Sequence, residues 1–79
     1  MARAFRFGNY GIYILRERGQ PHHLPHAHIK HRRRRVATVY LLTMTIEEQG
    51  EPIPEGLVEE LRNRQEALLA LWGELNGDE

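Results

Sequence analysis

The chain has 79 residues, no cysteine and a formal net charge of zero. A chain this short makes one domain that buries only about 60% of its unfolded surface, and without thiols it builds neither disulfides nor thiolate metal sites. No apolar run approaches the ~18 residues that cross a bilayer, and "MARAFRFGNYG" lacks the apolar core of a secretory signal, so a cytoplasmic protein with no membrane association is expected.

The zero charge is a cancellation. Met1 to Ile46 holds nine basic residues against one acid, Glu17, a balance of +8; Glu47 to Glu79 holds two arginines against ten acids, a balance of −8. The first half should attract phosphates or an acidic partner, and the second should repel them.

Taken in chain order, "AFRFGNYGIYIL" alternates with a period of two and contains Gly8-Asn9, residues that suit a tight turn. It predicts a hairpin of strands over 4–8 and 10–16, with Tyr10, Ile12 and Ile14 on one face and Tyr13 and Leu15 on the other. The next stretch, "RERGQPHHLP", is a loop, because Gly19, Pro21 and Pro25 interrupt any ladder. "HAHIKH" resumes alternation, placing His26, His28 and Lys30 on one face and Ala27, Ile29 and His31 on the other. The β-branched and aromatic run "RVATVYLLTMT" predicts one further strand, with the arginines at the bend before it.

The period then changes. After a breaker-rich connection over 47–53, apolar residues recur at Val58, Leu61, Leu68, Trp72 and Leu75, with Gln65 filling the remaining place. Pro54 suits a first turn, early glutamates favour the positive end, and Gly77 suits the stop. One amphipathic helix over 54–76 is expected. Leu57, Leu69 and Leu71 widen its face, either by wrapping the sheet or by meeting a protein partner or a second copy. The expected fold is α+β: a single domain over 1–79, with a basic antiparallel sheet of about four strands in 1–46 covered by that one long C-terminal helix.

All five histidines fall in "QPHHLPHAHIKHRRRR", residues 20–35, which ends in four arginines. Three chemistries fit. His26 and His28 can converge on one side of a strand and, with His22 or His23, could ligate a metal such as zinc. Neighbouring arginine charge opposes a divalent cation, so no metal or other cofactor is assigned. The same pair could act as base and acid in metal-independent RNA cleavage, with guanidinium groups stabilising the charge on phosphorus. Lys30, Arg32, Arg33, Arg34 and Arg35, with Arg16 and Arg18 nearby, could instead bind phosphates without chemistry, while Tyr10, Tyr13 and Tyr40 stack on bases if they face outward. A charged bend that keeps a small sheet soluble is the plain alternative. Trp72, Tyr40 and Phe7 are expected in the core.

"FRFGNYGIYIL", "PHAHI" and "GEPIPEGLVEELRNRQEALLALWGEL" together resemble domain-of-unknown-function family 4160, small bacterial proteins with an aromatic hairpin, a Pro-His-x-His element and a C-terminal helix. Pro25, His26 and His28 fall on the central element, and Gly50, Leu61, Leu68 and Trp72 on the helical part. The chain departs from that pattern in having Leu24-Pro25 where consecutive prolines are usual, and arginines where a glycine-rich bend is usual. The resemblance implies no established activity. It does imply pairing with a second small protein, as in toxin–antitoxin modules, whose compact basic toxins frequently act on RNA; this is analogy of size and architecture. The expected function is therefore binding of RNA or another polyanion by a toxin-like component of such a pair. His26 and His28 are the candidate catalytic residues, and the alternative is a non-catalytic interaction module or small subunit of a larger complex.

Overall fold

The computed structural model describes residues 2–15 and 24–77. Arg16, Arg18, His22 and His23, and most of the loop expected before the histidine strand, lie outside the described residues. Five antiparallel strands, β1 (Ala2–Phe7), β2 (Tyr10–Ile14), β3 (His26–His31), β4 (Arg34–Tyr40) and β5 (Thr45–Glu48), pair in chain order. Two helices follow, α1 (Glu55–Asn63) and α2 (Gln65–Asn76).

The sheet therefore has one more strand than expected. The run read as a single strand ends at Tyr40, and Leu41 to Met44 turn the chain back. The Met44 N–H donates to Tyr40 O at 2.7 Å, and Met44 takes a left-handed φ of +59°. No glycine or proline marks this turn, and its leucines serve opposite ends: Leu41 is fully buried while Leu42 is exposed. β5 then occupies the start of the expected connection.

The expected single helix is two. Arg64 joins them at φ −105°, ψ 14°. Its N–H is shared between Glu60 O and Leu61 O at 3.1 and 3.2 Å, and its carbonyl accepts from Leu68 N–H at 2.8 Å. Both joint residues contact the sheet layer. Gln65 stands where the apolar spacing calls for a core residue, and its Nε2 donates to Leu41 O at 2.6 Å. The Arg64 guanidinium lies 4.3 Å from the Phe5 ring centre. Leu57, expected at the margin of the helical face, is fully buried with Leu61, while Val58 is only partly so. Among the described residues no helix is long and apolar enough to cross a membrane.

The core lies between the helices and one face of the sheet. Ile12, Ile14, Ala27, Ile29 and Val39 alternate inward as a period of two demands. Two bulges interrupt that alternation. In β1, Arg3 opposes Tyr13 and Phe5 opposes Ile12, so Ala4 is the extra residue. In β4, Ala37 opposes Ile29 and Arg35 opposes Lys30, so Val36 is extra, and it is buried in the core. Counting outward from the core residues Phe5 and Ala37, strict alternation would turn Arg3 and Arg35 under the helices. Each bulge absorbs one small apolar residue and returns an arginine to the opposite face.

Candidate functional site

That opposite face gathers side chains from every strand. By register, β1 contributes Arg3 and Arg6, β2 Tyr13, β3 His26, His28 and Lys30, β4 Arg35, Thr38 and Tyr40, and β5 Glu47. The period of two in "HAHIKH" thus holds, with Ala27 and Ile29 in the core and His26 and His28 side by side, ring centres 5.0 Å apart and edge to face. Tyr13 folds back along the sheet over Gly11, where a Cβ would come within 2.7 Å of its ring. The Lys30 ammonium sits 5.2 Å from the centre of that ring.

One hydrogen bond at each imidazole assigns a role to its Nδ1. A carbonyl can only accept, so His26 Nδ1–H donates to Leu24 O at 2.7 Å. A guanidinium can only donate, so Arg35 Nη1 gives its hydrogen to His28 Nδ1 at 3.0 Å. Neutral His26 therefore keeps its lone pair on Nε2, and His28 keeps its proton there. His28 could give up its Nε2 proton only by becoming an imidazolate, so a two-histidine acid–base transfer requires Arg35 to leave His28 first. His28 is 7% exposed and Thr38, opposite it, 6%. Trp72, expected simply as core, packs against it but also brings its ring to 5.1 Å from His26.

The arginine run is split by the fold. Arg32 and Arg33 form the two-residue turn, both left-handed at φ +56° and +69°. Arg33 and Arg35 join Lys30, Tyr13, His28 and Leu15 around a concavity of about 340 Å3. Arg34 opposes His31, on the helix side of the register, and borders a different hollow beside Glu51. Of the five predicted phosphate contacts, Lys30, Arg33 and Arg35 come together; Arg32 and Arg34 do not border this concavity. A second concavity of about 430 Å3 shares His28 and Arg35 but is bordered by Thr38, Tyr40, Glu47 and Gln49.

Tyr10 is not available for outward stacking. It faces the helix side, stacked on His31 with ring centres 4.2 Å apart. Both residues bond one oxygen of Glu51: His31 Nδ1 at 2.8 Å and the Tyr10 hydroxyl at 3.1 Å. The His31 hydrogen bond, aided by Tyr10 and by Arg34, holds the Glu51 carboxyl below the usual range against the opposing effect of burial. Burial, together with the nearby Glu51 carboxylate, pushes the Tyr10 phenol up. The cluster clasps the β5–α1 connection to the sheet. Among the described residues no group of three or more His, Asp or Glu side chains could hold a metal ion.

Sequence reasoning missed Arg3, Arg6 and Glu47 as members of this face. Arg3 and Arg6 entered the charge balance, but their side of the sheet depends on pairing across β2 and on the Ala4 bulge. Comparisons with protein-family models, curated proteins and solved structures give no match.

Proposed function

We propose that the sheet face opposite the helices binds single-stranded RNA. The observation that carries this reading is the pair of bulges, which put Arg3 and Arg35 on the face already holding Arg6 and Lys30. A sheet needing only solubility could leave its charges on turns and edges; here the ladder is interrupted twice to set them on one broad surface. Tyr13 and Tyr40 supply rings for stacking unpaired bases. His26 and His28 act in binding. The toxin-like role belongs to this reading as well: an RNA-holding chain regulated by a protein partner, or by a second copy, on α2. Leu69, Leu71, Trp72 and Leu75 pack there while keeping part of their surface exposed.

The test is a titration of fluorescent single-stranded RNA against salt. Affinity should fall steeply, by a slope of about 0.7 per phosphate neutralised. Lys30→Gln should weaken binding and flatten the slope, while Arg62→Gln, on exposed α1 surface, should change neither. Binding that is indifferent to salt, or equal loss from both substitutions, overturns the proposal.

A further inference from the structure

The two concavities that meet at His28 and Arg35 differ in chemistry. The one bordered by Lys30, Arg33 and Arg35 has three cations and no acid. The other has Glu47, Gln49, Thr38 and Tyr40. A carboxylate on a face that holds a polyanion repels phosphate. A lysine at that place on an edge strand would discourage edge pairing equally well without that cost. Nor is Glu47 needed to hold the chain, since its neighbour Glu48 is the residue that accepts from Ile53 N–H, at 3.2 Å. Glu47 is instead steadied toward the site by the Tyr40 hydroxyl, 3.4 Å from its Oε1. What the second concavity fits is a ligand part that donates hydrogen bonds and carries no charge.

We infer that this second concavity reads a guanine base of the bound strand, with Glu47 as the specificity residue. The inference rests on the RNA-binding reading and deepens it. A carboxylate is acceptor-only and has two oxygens side by side. Guanine alone among the four RNA bases presents two adjacent donors, N1–H and N2–H, on its Watson–Crick edge. Adenine and cytosine each offer a single donor group beside an acceptor, and uracil a lone N–H between two carbonyls. The paired geometry therefore favours guanine as arginine favours phosphate. The Gln49 amide and the Thr38 hydroxyl can donate to guanine O6, and Tyr40 provides a ring for the base to stack on. The edge must be unpaired to be read, which restricts the ligand to single-stranded segments. The flanking phosphates then fall toward Lys30, Arg33 and Arg35.

The experiment compares four labelled RNA 12-mers: all uridine, and uridine with one central guanosine, adenosine or cytidine. Wild-type protein should bind the guanosine strand tighter than the other three by roughly fivefold or more. Glu47→Gln should erase that preference, so that all four strands bind within about twofold of one another. Lys30→Gln should weaken all four alike and keep the preference. Equal wild-type affinity for all four strands overturns the guanine assignment while leaving RNA binding in place. A Glu47→Gln protein that gains affinity for every strand and still prefers guanosine also overturns it, reducing Glu47 to a repulsive charge. Absence of binding to any strand removes both readings.

Discussion

The β1–β2 hairpin closes through Gly8 and Asn9, with Gly8 taking the left-handed φ of +58°, whereas the β3–β4 hairpin closes through Arg32 and Arg33, both left-handed. Each hairpin carries one bulge, and each bulge turns an arginine onto the face opposite the helices. They differ at the tip. Glycine enters the left-handed region without steric cost, while a residue with a side chain gives up roughly 1–2 kcal/mol there. The first tip is built for folding. The second accepts strain in order to place two guanidinium groups at the end of the strands that bear His28 and Lys30, and strain of this kind is characteristic of positions retained for function.

Deleting Val36 tests the shared part of the comparison and should have the largest effect. Without the extra residue the ladder becomes regular, Arg35 stays opposite Lys30 on the face away from the helices, and the buried valine is lost, a change of about 1.5–3 kcal/mol in denaturant unfolding. A deletion variant of unchanged stability would mean that the side chain absorbed by the bulge does not hold the core. Exchanging the tips tests the difference. Arg32→Asn with Arg33→Gly should raise stability by about 1–2 kcal/mol, and Gly8→Arg should lower it by about 1 kcal/mol, both read from melting curves.

The Glu51 clasp beside the second tip gives a pH signature. Its carboxyl is depressed from 4.5 in the folded chain, so the stability it contributes is present above that value and is lost as pH falls through the folded pKa. Glu51→Gln should therefore flatten the acid side of the stability profile, and an unchanged profile would separate the clasp from folding. The smallest stability effect is expected for Arg6→Ser, an exposed position, at about 0.5 kcal/mol or less. RNA affinity should nevertheless fall, because Arg6 opposes Gly11 on the face proposed to bind RNA.

Much of the sheet could be read from alternation alone. "HAHIKH" places His26 and His28 together because a strand's side chains have no other choice, and the spacing of Leu61, Leu68 and Trp72 places the helical layer. What escaped the sequence has a common physical origin. A bulge is one residue with no compositional mark, and Ala4 and Val36 look like ordinary strand residues. The turn at Leu41–Met44 uses a left-handed methionine where glycine would have announced it. At the helix joint Gln65 meets a carbonyl 24 positions away. Glu51 meets Tyr10 and His31 across separations of 41 and 20 residues, which no local pattern records.

The most direct test of a cationic face that holds RNA is the salt dependence of single-stranded RNA binding by the Arg32→Asn, Arg33→Gly protein beside the wild type. The more stable variant should bind more weakly, with a slope shallower by about 0.7, since of the two tip arginines Arg33 is the one that borders the concavity of Lys30 and Arg35. Identical slopes and affinities in the two proteins would contradict the account.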